Sequence, residues 1–226
     1  MQKEMIVISL GGSIIVPDKV DVAYLKAFRK TILKNLRKKR FVIICGGGRT
    51  ARRYQDALSQ LVSLSAEDLD WIGIHATRLN ASLLLSAFKG ETYEKVVKRP
   101  LEKISTAKHI IIAAGWKPGF STDYCAVLLA KNFGVKTILN LTDVDYVYDK
   151  NPKKFKDAKS IKDISWRAFK SLVGGKWTPG LRLPFDPIAS MEAERLGLRV
   201  IVLGRSQKNL DNYLSGKSFT GTVIHR

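Results

Sequence analysis

Five short apolar runs, at residues 5–10, 41–45, 110–114, 137–141 and 199–203, constrain this chain more than any other feature. They are rich in β-branched residues and continuous rather than alternating, as expected of strands covered by helices on both faces. The segments between them change to a helical period. The first carries Val22, Leu25, Phe28, Ile32 and Leu36 on one face and lysines on the other. Further helical segments are expected over 49–61, 75–88, 122–133 and 187–196. Asp186-Pro187 reads as a helix start, with Asp as N-cap and Pro at the first helical position. Strands alternating with helices give an α/β fold, a doubly wound and largely parallel sheet sandwiched by helices. No repeat or linker interrupts the pattern, so residues 1–226 are expected to form a single domain. The Lys/Asp-rich piece 149–162 reads as an insertion or a hairpin excursion.

A chain of 226 residues is long enough to bury a sizeable core. With 45% hydrophobic and 26% charged residues, disordered, collagen-like and low-complexity classes are excluded. No apolar run approaches the roughly 18 residues that span a bilayer, so no transmembrane helix and no membrane partner are expected. Residues 1–13 lack a basic region followed by an apolar stretch and a cleavage site, and read as the first strand rather than a signal peptide. Cys45 and Cys125 offer neither a disulfide framework nor zinc-ligand spacing. Both read as buried thiols, which suits a reducing cytoplasm.

The net charge of +19 is unusual, and it is clustered. Eleven Lys or Arg and no acid fall between Lys26 and Arg53. A second basic stretch, 150–176, is broken only by Asp157 and Asp163. Such a field attracts polyanions, whether nucleotides, nucleic acid or acidic membrane surfaces. The alternative is a solvated helix face formed by Lys34, Arg37, Lys38 and Lys39. We favour the latter over nucleic acid, because no aromatic residues interleave with the run to stack on bases.

Ligands of an open parallel sheet bind beyond the carboxyl ends of its strands. Three of those ends are glycine-rich here: Gly11-Gly12-Ser13, Gly46-Gly47-Gly48 and the loop from Gly115 to Asp123. Glycine lets backbone N–H groups approach a phosphate, and the following helix directs its positive end at the anion. Tight β–α turns also need glycine for steric reasons alone. Three such loops at one edge point to phosphate binding. None of them is a Walker loop, and no G-x-G-x-x-G follows the first strand. Arg49, Arg52 and Arg53 open the next helix, where a planar guanidinium can grip a phosphate through two parallel hydrogen bonds. We assign that role to Arg52 and read Arg53 as solvated.

Several collinear motifs resemble the amino acid kinase family, and within it the archaeal-type UMP kinases. They are Leu-Gly-Gly-Ser at 10–13, Gly-Gly-Gly-Arg-Thr-Ala-Arg-Arg-Tyr at 46–54, Asp-Trp-Ile-Gly-Ile-His-Ala-Thr-Arg-Leu-Asn-Ala at 70–81, Pro-Gly-Phe-Ser-Thr-Asp at 118–123, Thr-Asp-Val-Asp-Tyr-Val-Tyr at 142–148 and Asp-Pro-Ile-Ala at 186–189. The resemblance implies a cytoplasmic hexamer that passes the γ-phosphate of ATP to UMP with Mg²⁺. It divides the domain into an acceptor lobe, about 1–135, and an ATP-binding lobe, about 136–226. UMP contacts would fall on Gly47, Asp70, Trp116, Lys117, Pro118, Gly119, Phe120, Ser121 and Thr122. ATP contacts would fall on Ser9, Leu10, Gly11, Gly12, Ser13, Gly48, Arg52, Thr142, Asp143, Tyr148 and Asn151, with Tyr148 near the adenine. Asp70 would accept from the ribose hydroxyls, its alternative being a helix cap beside Ser65 and Glu67. Trp116 and Phe120 offer apolar faces to a nucleotide, or serve only to pack their loop.

The chain departs from the family pattern in ways that bear on chemistry. Tyr146 stands where the family has glycine, Asn151 where it has Asp, and Asp143 where Asn is usual. Ser9 and Met191 occupy positions at which many members carry lysine. Phosphoryl transfer needs positive charge on the moving group. Beside Arg52, that charge could come from Lys117, Lys176 or Arg182, or from none of them if Met191 faces the phosphates. No catalytic histidine is needed, and His75, His109 and His225 read as structural or surface residues. Two other functions remain open on the sequence: the same fold with an isopentenyl phosphate or carboxylate acceptor, and a catalytically weakened nucleotide sensor or nucleic-acid-binding protein.

Overall fold

Every apolar run read from the sequence is a strand in the structure, a computed structural model that describes residues 3–150, 152, 154–174 and 184–226. The chain begins β1 (Glu4–Leu10), α1 (Gly12–Ile15), α2 (Val22–Asn35), β2 (Lys39–Cys45), α3 (Gly48–Leu61), α4 (Ala66–Ala87), β3 (Ile110–Ala113) and α5 (Thr122–Asn132). It continues β4 (Thr137–Leu141), β5 (Val147–Tyr148), β6 (Ser160–Ile161), β7 (Asp163–Ser165), α6 (Trp166–Val173), α7 (Pro187–Arg195), β8 (Arg199–Leu203), α8 (Gln207–Leu214) and β9 (Thr222–His225).

The main sheet has the order β3-β2-β1-β4-β8-β9-β7. Its first five strands run parallel, and β9 lies antiparallel to β8 and parallel to β7. One apolar face packs on α1, α2, α4 and α8, around Phe28, Phe41 and Phe88. The other packs on α5, α6 and α7, around Trp166, Phe169 and Phe185. From β1 the chain winds outward through β2 and β3, then returns to place β4 on β1's other side. That reversal is a topological switch point, where α/β sheets open a crevice.

Three details differ from the periodic reading. α4 begins at Ala66 rather than near residue 75, because its first turns are polar and are set by a capping box. Ser65 Oγ accepts from Asp68 N, and the Asp68 side chain accepts from Ser65 N, so Asp68 and not Asp70 is the capping carboxylate. α6 and α8 are short helices, opened by the N-caps Ser165 and Ser206. The expected excursion at 149–162 is a hairpin: β5 and β6 pair antiparallel, Val147 with Ile161 and Tyr148 with Ser160. At α7 the Asp186 cap holds as read, its carboxylate accepting from Ala189 N at 2.7 Å.

Candidate active site

A cleft of about 910 Å³ opens at the carboxyl ends of β1, β2, β3 and β4. Its floor is made of two glycine loops in backbone contact. A Cβ on Gly12 would stand 2.0 Å from Gly48 N, and one on Gly46 would stand 2.5 Å from Gly12 N. Glycine is therefore required here for the loops to pass each other, quite apart from any phosphate. The loops are also bonded to the sheet: Gly11 N–H donates to Leu141 O at 2.8 Å and Gly46 N–H to Leu10 O at 2.9 Å. Leu10 is fully buried and supports the floor without lining it.

α4 braces this arrangement from one face. Asn80 Nδ2 donates to Gly46 O at 2.8 Å and to Gly47 O at 3.2 Å. Thr77 Oγ1 accepts from Gly115 N at 2.8 Å, Arg78 donates to Trp116 O at 3.0 Å, and Asp70 Oδ2 accepts from Gly119 N at 2.7 Å. Positions 70, 77 and 80 recur at helical spacing, so one helix ties the second glycine loop to the loop at 115–122. Thr77 and Asn80 lie inside the motif at 70–81, but their bonds to loop carbonyls and amides leave no periodic mark in the sequence.

The sequence-derived residues divide by location. Ser9, Gly11, Gly12, Ser13, Gly47, Gly48, Arg52, Asp70, Phe120, Ser121, Thr122, Thr142, Asp143 and Tyr148 all line the cleft, as does Arg49. Trp116, Lys117, Pro118 and Gly119 are not among the lining residues. The Lys117 ammonium instead lies 4.5 Å from the Trp116 ring centre and 5.2 Å from that of Phe120. Trp116, Phe120 and Tyr124 form a ladder with 5.1 Å between successive rings, so Trp116 serves loop packing here. Arg53 pairs with Asp18 at 2.6 Å on the surface, the solvated role read for it. Asn151, Lys176 and Arg182 lie outside the described residues.

Met191 does not face the cleft. It is half exposed and borders a separate small cavity beside Trp166, Arg167 and Glu194. The cause is helical phase: Ala189, Ser190 and Ala193 of α7 are buried, whereas Ile188 and Met191, three apart, share the outer face. The three histidines are likewise away from the cleft, His109 beside Lys3 and Glu91, His225 beside Asp163 and His75 beside Trp71.

Two carboxylates on the floor were not anticipated as functional groups. Asp123 accepts from Ser9 Oγ at 2.9 Å and from Asp186 N at 3.2 Å. Desolvation, aided by the neighbouring Asp186, pushes its pKa up to about 7. Burial also raises Asp186, against the lowering effect of the Ala189 amide and the Ser121 hydroxyl. The signal available in sequence was Ser9 itself: a small hydroxyl in the last turn of a buried strand, with no cation beside it.

At the other side of the switch point, the residues after β4 form a second wall containing Asp143, Tyr146 and Tyr148. Three strand spacings, about 14 Å in all, separate the ends of β3 and β4 in the sheet order. The cleft thus has two ends of different chemistry joined by one glycine floor.

The profile of the Amino acid kinase family matches residues 4–204. A uridylate kinase of Thermoplasma volcanium is 39% identical over 224 residues, covering 98% of this chain and 97% of that protein. A uridylate kinase of Pyrococcus abyssi is 33% identical, covering 97% and 98% respectively. Among solved structures, the uridylate kinase of Archaeoglobus fulgidus superposes with a TM-score of 0.81 at 30% identity, covering 98% of this chain and 99% of that one.

Proposed function

The chain belongs to the amino acid kinase family, and from that footing we propose that it is a nucleoside monophosphate kinase that transfers the γ-phosphate of ATP to UMP, giving UDP and ADP. The observation that carries the reading is the two-ended cleft with a shared glycine floor. Two nucleotides can enter from opposite ends and meet phosphate to phosphate at its centre.

In this reading, the lobe up to about residue 135 supplies the UMP pocket and the lobe from about 136 the nucleoside end of ATP, and the phosphates of both lie over the shared glycine floor. Asp70 accepts from the ribose of UMP through the oxygen not bonded to Gly119. Gly47, Phe120, Ser121 and Thr122 surround that nucleotide, while Trp116, Lys117, Pro118 and Gly119 shape their loop from behind. Ser9, Gly11, Gly12, Ser13, Gly48, Thr142, Asp143 and Tyr148 hold ATP. The N-terminus of α3 adds backbone N–H groups and the positive end of a 14-residue helix to the phosphates. Arg52, one turn into that helix, neutralises charge on the moving phosphoryl group in a direct in-line transfer with no covalent intermediate.

Bound with ATP, Mg²⁺ would supply positive charge to the triphosphate. Among the described residues no cluster of three or more His, Cys, Asp or Glu is ready to hold a metal alone. The oxygens of Asp123 and Asp186 are nonetheless the hard donors such a cation accepts. The exposed apolar residues Leu61 and Val62 at the end of α3 and Leu79 and Leu83 on α4 support association of copies, hexameric by family resemblance. No helix among the described residues is long and apolar enough to cross a membrane, and the two buried thiols suit a cytoplasmic setting.

A coupled ADP-release assay across UMP, CMP, AMP, isopentenyl phosphate, glutamate and aspartate tests the assignment. UMP is expected to give the highest kcat/KM, and an equal or higher value for any other acceptor overturns it.

A further inference from the structure

Beyond the reaction itself, and resting on the reading that ATP occupies the end of the cleft after β4, we infer that Tyr146 and Tyr148 form a two-ring corner that holds the donor's base, with Tyr146 the added ring that braces Tyr148. The argument starts from strand alternation. Val147 is fully buried, and its N–H donates to Thr222 Oγ1 at 2.8 Å. Successive side chains of an extended segment point to opposite faces, so the residues on either side of Val147 share the face it leaves. Both tyrosines line the cleft.

Their rings lie 6.3 Å apart at 88° to one another, an edge-to-face pair. The backbone beneath is fixed by pairing of Val147 with Ile161 and Tyr148 with Ser160. Asp145 is seated tightly against Gly204, where even a Cβ would meet its carboxylate at 1.9 Å. A partly exposed tyrosine on its own turns about its side-chain bonds. With a second ring against it, Tyr148 is held ready, and two perpendicular aromatic surfaces present one wall for the face of a flat heterocycle and one for its edge. The corner follows β4, whereas the loop that Asp70 holds follows β3, three places away in the sheet order, so the base it receives belongs to the triphosphate and not to the acceptor. A glycine at position 146, the residue that the family resemblance implies there, would leave Tyr148 unbraced.

Calorimetry with ADP, together with steady-state kinetics, tests this in Tyr146→Gly and Tyr146→Phe. Stacking of a base on an aromatic ring is sequence-tolerant and sizeable, so Tyr146→Gly is expected to weaken ADP binding and raise KM for ATP by about tenfold. kcat and KM for UMP should stay within about twofold, and the thermal midpoint of the ligand-free variant should move by no more than about 2 °C. Tyr146→Phe, which keeps the ring, should behave as the parent protein. Unchanged ADP binding in Tyr146→Gly overturns the inference. So does a parallel loss of UMP affinity or thermal stability, which would mark Tyr146 as structural. A parent protein that does not phosphorylate UMP would refute the proposed activity instead, while ADP binding would still decide the fate of the corner.

Discussion

Gly48 and Gly119 both hold left-handed backbone, with φ of +68° and +83°, one in the floor of the cleft and the other in its acceptor rim. An added methyl group meets very different surroundings in the two places. At Gly48 it lands 2.2 Å from Gly12 O, a backbone atom that cannot yield, whereas at Gly119 nothing lies within 4 Å. The floor is built by backbone pressed on backbone. The rim is an open loop held by single bonds from α4 and by a ladder of rings. A kinase needs both kinds of construction, since phosphates must be positioned within fractions of an ångström while nucleotides must come and go.

Replacing each glycine with alanine is the most direct way to break this comparison. Gly48→Ala combines a disfavoured φ with a backbone clash and should cost about 3–5 kcal/mol or prevent folding; Gly119→Ala should cost about 1 kcal/mol. Urea unfolding of the pair measures it, and equal costs would mean that the two loops are held alike. Next in size, Arg52→Ala should lower kcat/KM by about 10- to 100-fold, the loss of a charge-assisted phosphate contact worth about 1.5–3 kcal/mol. Lys38→Ala, on the solvated basic surface, should stay within about twofold. Steady-state kinetics of both variants separates a floor residue from surface charge.

Asp70→Ala probes the rim. It removes a carboxylate that tethers Gly119 and, in the proposed function, reads a ribose. KM for UMP should rise about tenfold, or roughly 1.4 kcal/mol, while global stability changes by less than about 0.5 kcal/mol. Faster amide exchange at Gly119 with unchanged exchange at Gly46 would show that the rim loosens and the floor does not. A slowed or unchanged Gly119 amide would refute the tether.

The smallest effect concerns pH. Asp123 has a folded pKa near 7 against an ordinary value of 3.8, so the folded protein holds its proton more tightly than the unfolded chain. Stability from this group is therefore greatest below about pH 4 and declines as pH rises towards 7. The carboxylate borders an open cleft, which limits the effect to about 1 kcal/mol between pH 5 and 8. Subtracting the stability curve of Asp123→Asn from that of the parent removes contributions from His225 and other groups. A flat difference curve would show that the floor leaves Asp123 well solvated.

Legibility in the sequence followed the same division. The strands were readable because burial on both faces writes a continuous apolar run, and β4 and β8 have the expected limits. α6 and α8 escaped because eight residues hold only two turns of pattern, although Ser165 and Ser206 were caps in plain view. In the site, the glycines announced a special backbone but not its cause, since contact between two loops 34 residues apart is not a local property. Asp123 and Asp186 were quoted within motifs, yet their pairing depends on α5 and α7 packing side by side under Ser9. The side of α7 that Met191 takes was left open, because which helix face turns inward depends on how α7 packs and not on its distance from Asp186.

The backbone contact between Gly12, Gly46 and Gly48 also bears on how such a chain can change over generations. Alanine is the smallest step available to a glycine, and at these positions it is barred by main-chain atoms of the opposite loop rather than by a side chain that a second substitution could shrink. No compensating change exists within the pair, because neither partner has anything left to remove. The floor is consequently an evolutionary dead end, and novelty must enter from the walls, which is where Tyr146 stands.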